Sequence, residues 1–447
     1  MTAGPFQQIR LDDGSTTDLF ILRYGANGQL LSPQTAEILR NSLVDSSDVF
    51  IFSHGWNNTF STALERYRGF ILGYQEQRRK FGIRAAAGYR PTLVGVVWPS
   101  TSYVMPWEMG PKISGAPDAS SAEVNLDEEL LRFVTDAVDP ETGGRLSRLI
   151  DGRAALDRGE ARQAAQITLN VLWSETDPDA GTAPPETEEF LTTWAQLDGR
   201  DTPSRIGVDN FGTVRAPNAQ SEAGVAGGYS FDPRGLLRAA TVWKMKNRAG
   251  VVGVTGVGPL IQHILRHSGA RLHLIGHSFG ARVVLAALAS QAPSRPAHSM
   301  LLLQAAVNRW CFAQDVAGTG RSGGYRPVLE RVEKPVLTTF SSYDGPLTHF
   351  FHLALRGRHL GEPSTAAVGD PHLYGALGGF GPAGLGDLSS TEPAAIPGAQ
   401  GYDFDGGRRV IVIDGGTRIE GKPAISGHGD ISNATTWWAL HCLTRTD

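Results

Sequence analysis

Short runs of uninterrupted apolar residues alternate with longer amphipathic stretches along much of this chain. Residues 6–12 and 18–24 alternate around Asp13-Gly14-Ser15-Thr16, which predicts an opening hairpin. Ser32-Pro33 predicts a helix near Gln34 to Ser42, with serine as cap and proline in the first turn. Asp48-Val49-Phe50-Ile51-Phe52-Ser53 reads as a buried strand ending at His54-Gly55-Trp56, residues 61–82 as a helix, and Leu93 to Pro99 as another strand. Leu272 to His277, Met300 to Ala306, Pro335 to Phe340 and Arg409 to Asp414 repeat that apolar signature. Strands apolar throughout and separated by helices imply a mostly parallel sheet with helices on both faces, an α/β fold.

The rhythm breaks between about Ser100 and Arg234, where helical pieces (Leu126 to Val138, Arg145 to Leu172, Glu186 to Trp194) lie among Pro/Gly/Asp/Ser loops. The expected organisation is a core formed by residues 1–100 and 235–447, with a largely helical insertion at 101–234. That insertion leaves the sheet at a strand's carboxyl end, so it reads either as a cap over a site or as a surface subdomain. Tyr103, Trp107, Trp173, Trp194, Phe211, Tyr229 and Phe231 within it could face an apolar substrate or form the insertion's own core. Residues 236–268 return to helix with a break expected at Gly250 to Gly258, and 361–407 form a Gly/Pro-rich irregular loop within the core. A closing helix is expected from Ala434 to Leu443.

Composition narrows the class of function. Charged residues make up 19% of the chain and the net charge is −4, with no Lys/Arg run, which argues against a nucleic-acid partner. The first residues carry no signal-peptide pattern, no window is apolar enough to span a membrane, and Cys311 and Cys442 are too few for a disulfide framework. A reducing cytoplasm is the expected setting, and oligomeric state is left open. No Walker or dinucleotide fingerprint implies a cofactor, and none is expected. His263 and His267, like His349 and His352, lack the rest of a metal-binding pattern, so no metal is expected either.

The chemistry concentrates at residues 272–280, Leu-His-Leu-Ile-Gly-His-Ser-Phe-Gly. A chain with 54 glycines produces bare G-x-S-x-G by chance, but here an apolar strand leads in and a small-residue helix leads out. That strand–turn–helix setting exposes a serine hydroxyl on a sharp turn and makes Ser278 a candidate nucleophile. A base and an orienting carboxylate should follow in the order acid, then histidine, each after a strand. Asp344, after Val336 to Phe340, and His428, after the last strand, fill those places, with Asp414 and Asp430 as competing acids. Oxyanion donors are expected from the N–H groups of Phe279 and Trp56, with Asn57 as runner-up for the second. Substrate contacts are expected at Trp56, His277 and Tyr343, whereas His54 is expected to brace its loop.

Phe52-Ser-His-Gly-Trp-Asn-Asn-Thr-Phe60, Val-Val-Trp-Pro-Ser100 and Gly-His-Ser-Phe-Gly280 together resemble an uncharacterised bacterial family of α/β-hydrolase-fold serine hydrolases. The resemblance covers about 45–100, 240–310 and 330–430, and places Asp344 and His428 where that family has its acid and base. It implies the α/β-hydrolase fold and an esterase- or lipase-like activity on a small-molecule or lipid-like ester. Amidase, phospholipase or acyltransferase chemistry on the same residues, or an idle binding member of the fold, are the alternatives. Fold alone does not select among them.

Overall fold

In a computed structural model of the chain, nine strands form one sheet. The residues described are 3–11, 14–56, 58–84, 88–100, 139–150, 156–172, 187–188, 191, 231, 245–350, 375–404 and 406–445. The strands are β1 (Gln7–Arg10), β2 (Thr16–Arg23), β3 (Asp48–Ser53), β4 (Pro91–Val97) and β5 (Arg271–His277), followed by β6 (Ser299–Leu303), β7 (Val336–Phe340), β8 (Ser389–Pro393) and β9 (Val410–Asp414). Their spatial order is β1-β2-β4-β3-β5-β6-β7-β9-β8, and β1 with β2 is the antiparallel pair of this otherwise parallel sheet.

The expected α/β class with a mostly parallel sheet is therefore present, and the side-chain alternation explains the continuous apolar strands. Val49 and Ile51 of β3 join one buried cluster, while Phe50 and Phe52 join the other. The first face carries α1 (Pro33–Ser42), α5 (Gly258–His267) and α6 (Phe279–Ala289). The second carries α2 (Phe60–Lys80) and α7 (Ala434–Thr444).

Local departures from expectation have physical causes. Ser32 does not cap α1 through its side chain; its hydroxyl accepts from the Arg23 N–H at 3.0 Å and ties the helix entry to β2. No break occurs at Gly250 to Gly258, because residues 245–251 are helical and continue through a π-helical turn, Val252–Val257, into α5. Glycine is required there, since a Cβ on Gly253 would lie 2.5 Å from the Val283 carbonyl oxygen of α6. The irregular loop expected at 361–407 contains β8, which pairs with β9. Its sequence, Ser-Ser-Thr-Glu-Pro, supplies the polar and proline character that protects a sheet edge from further pairing.

Much of the 101–234 insertion lies outside the described residues, including Leu126 to Val138 and all its aromatics except Phe231. Two helices are described, α3 (Pro140–Ile150) and α4 (Arg158–Leu172), so the Arg145 to Leu172 piece is not one helix. Asp157 accepts from the N–H groups of Gly159 and Glu160 and starts the second helix. Leu146, Ala161 and Ala165 are buried in the first-face cluster. Phe231 is buried too, bridging Leu156 through its backbone. No helix among the described residues is long and apolar enough to cross a membrane, and both cysteines are buried free thiols.

Candidate active site

Ser278 sits between β5 and α6 with φ 54° and ψ −125°, a left-handed conformation that a side chain rarely adopts. Such a backbone costs on the order of 1–3 kcal/mol and persists only where its surroundings enforce it. Three hydrogen bonds do so: Ser278 N–H to the Leu303 carbonyl, and the N–H groups of Ala281 and Ala306 to the Ser278 carbonyl, each at 3.1 Å. The flanking glycines are needed for contact. A Cβ on Gly276 would stand 2.5 Å from the Ala281 Cα, and one on Gly280 would overlap the carbonyl oxygen of Ser53.

The loops after β7 and β9 deliver the other two groups. His428 Nε2 lies 2.9 Å from Ser278 Oγ, and His428 Nδ1 lies 2.8 Å from Asp344 Oδ2. The Asp344 side chain is buried, and its second oxygen accepts from the Leu347 N–H at 3.0 Å. That geometry leaves Nδ1 as the protonated nitrogen and Nε2 as the acceptor for the serine proton.

The competing carboxylates are committed elsewhere. Asp414 Oδ1 accepts from the Gly416 N–H at 2.8 Å and closes the turn after β9. Asp430 Oδ2 accepts from both the N–H and the hydroxyl of Ser426, which folds residues 426–430 into a closed loop around His428. Capping of α7 falls instead to Asn433, through a capping box with Thr436.

The loop after β3 comes against the serine. A Cβ on Gly55 would meet Ser278 Cβ at 2.6 Å, so glycine is what allows this backbone to come against Ser278. His54 braces the loop as expected. Its Nδ1–H donates to the Gly55 carbonyl, its Nε2 accepts from Trp98 N–H, and its ring stacks on Trp98 at 5.6 Å. Burial pushes its pKa down to about 4, so it is neutral in this role. Asn58 adds amide donors to the Gly55 and Trp56 carbonyls, while Asn57 lies outside the described residues. Trp56 is half-buried, 6.4 Å from the Phe279 ring. Phe279 is the first residue of α6, where a backbone N–H has no intrahelical acceptor.

His277 is placed differently from the substrate wall expected for it. The side chain is buried and donates through Nε2 to the His428 carbonyl at 2.8 Å. Burial, reinforced by His428, holds its pKa well below 6.5, so the ring is neutral. Tyr343, next to Asp344, is exposed.

Gln304 went unnoticed in the sequence. It follows β6 at φ 39°, and its amide donates to the carbonyls of Gly427, His428 and Asp430 at 3.2–3.4 Å. Thr339 holds the other end of that amide at 2.9 Å. A single polar residue interrupting Met300 to Ala306 at a strand's carboxyl end was the available signal.

The rings of His263 and His267 lie 4.7 Å apart on α5, tilted by 42°. Of the other pair, His352 and the side chain of His349 lie outside the described residues. Comparison with protein-family models, with curated proteins and with solved structures returns no match.

Proposed function

We propose that this chain is a serine hydrolase of the α/β-hydrolase fold that cleaves carboxylic esters through an acyl-enzyme. The observation that carries the reading is the aligned series Asp344–His428–Ser278, at 2.8 and 2.9 Å, around a serine held at φ 54°. Ser278 Oγ attacks the acyl carbon while His428 Nε2 takes its proton, then returns it to the departing alcohol oxygen. Asp344 orients the ring and stabilises its cationic form. Water, deprotonated by His428, then attacks the acyl-enzyme and releases the acid. The N–H groups of Phe279 and Trp56 receive the oxyanion that develops at each step.

The close approach of Gly55 to Ser278 supports the second of those donors, because it brings the 54–58 loop to the attacked carbon's side. The ordered Nδ1–carboxylate contact disfavours an idle binding protein. A scaffold has no need to align a buried acid, an imidazole and a strained serine. The deciding experiment is labelling with a fluorophosphonate probe, mapped by peptide mass. Modification at Ser278 is expected, and an inert Ser278 in folded protein ends the proposal. A panel of p-nitrophenyl esters beside the matching anilides then separates esterase from amidase.

A further inference from the structure

Between α2 and the second face of the sheet lies a cavity of about 580 Å³, a size typical of small-molecule sites. None of Ser278, Asp344 and His428 lines it. The inner walls are carbon: Phe50 and Phe52 from β3, Leu93 from β4, Ile275 from β5 and Phe70 from α2. The Tyr67 hydroxyl is engaged outside the cavity, donating to the Val96 carbonyl and accepting from the His54 N–H, while the Tyr74 hydroxyl pairs with Thr444 and with Arg78 of the lining.

Charge in the lining has one sign. Arg78 and Arg84 are its only ionised side chains among the described residues, and no carboxylate accompanies them. Arg79, next along α2, is paired with Glu76, but Arg78 instead lies over the rings of Tyr74 and Tyr89, at 5.8 and 5.4 Å. Arg84 and Gly88 stand at the surface, which puts the cationic end at the mouth.

We propose that this cavity is a binding site for an aliphatic carboxylate, its chain among the phenylalanines and its head on the Arg78 guanidinium. An apolar slot with a half-buried fork of N–H donors at its entrance matches both parts of such a ligand. The inference stands independently of the hydrolase reading, since it uses none of that site's residues.

Calorimetric titration of the full chain with decanoate and with decanol tests it. Saturable decanoate binding is expected, with decanol weaker. Arg78→Gln should weaken decanoate by about tenfold while leaving decanol unchanged, the size of one charge-assisted contact. A decanoate carrying a terminal photoreactive diazirine should crosslink within residues 48–53, 60–80 or 91–97, which requires no variant. Absence of binding, decanol binding as tightly as decanoate, or crosslinks confined to peptides bearing Ser278, Asp344 or His428 would each overturn the proposal. Fluorophosphonate labelling of Ser278 is read separately, so failure of one proposal leaves the other standing.

Discussion

The imidazole of His277 donates to the backbone carbonyl of His428 at 2.8 Å, so the residue preceding Ser278 holds the backbone of the residue whose ring reaches Ser278. The Gln304 amide grips the same loop from β6. Removing either donor should let the base drift without touching substrate. His277→Leu and Gln304→Met are each expected to lower kcat about ten- to a hundredfold, the effect of misplacement by an ångström, with little change in KM. Fluorophosphonate labelling should slow in parallel. A KM effect with kcat intact would mean these residues contact substrate.

Ser278→Ala should reduce ester turnover by roughly 10⁴ to 10⁶. The protein should remain folded, because the change removes one hydroxyl and its bond to His428 while keeping the Cβ, so φ 54° and the backbone hydrogen bonds that hold it are unaltered. Turnover within tenfold of wild type would remove Ser278 from the chemistry.

The three carboxylates near the site separate by their bonds. Asp344→Asn should cripple turnover by about 10⁴, since an amide at Oδ2 favours the wrong imidazole tautomer. Asp414→Asn keeps its acceptor for Gly416 and should be close to neutral. Asp430→Asn loosens the Ser426 turn and should cost an intermediate amount. Steady-state kinetics on the three variants rank them, and a crippled Asp414→Asn would refute the assignment.

Gly280→Ala should destabilise the fold by more than the ~1–3 kcal/mol usual for overpacking, because the added methyl meets backbone at Ser53 and His54. Urea unfolding measures this. A variant as stable as wild type would show that β3 and α6 can part at no cost.

Stability should fall on mild acidification. His54 and His273 are buried, and burial lowers each pKa from 6.5 to about 4. Between those values the unfolded chain binds protons that the folded chain refuses, so folding is weakened as pH drops through that window. Full stabilisation is present above about 6.5, and the loss is on the order of 3 kcal/mol for each group. His273 lies between Asp48, at 2.9 Å, and Ser299, at 2.7 Å; the Asp48 carboxylate favours the charged ring, but burial outweighs it and keeps the imidazole neutral. A urea midpoint unchanged across this window would contradict the prediction.

The parallel core was readable because both faces of β3, β5 and β9 are buried, which forces continuous apolar runs. The order of Ser278, Asp344 and His428 was readable because each follows such a run. The strand β8 was not, since an edge strand pairs on one side through its backbone and needs no apolar residue. Gln304 escaped because its importance is set by carbonyls more than a hundred positions away, at 427, 428 and 430. The π-helical turn escaped for a related reason: the glycines read as a break answer to the close crossing of α6, a tertiary demand.

The contact between Ser278 and His428 closes a span of 150 positions. The strand and helix that bend the serine lie beside it in sequence and can form early, whereas so distant a closure enters late in folding. If Ser278 is the nucleophile proposed above, a growing polypeptide gains its reactivity only once residues beyond 428 have been added and locked by Asp430 and Asn433. On that reading a half-made chain carries no working site, and the return of probe labelling during refolding reports closure of the 278–428 contact.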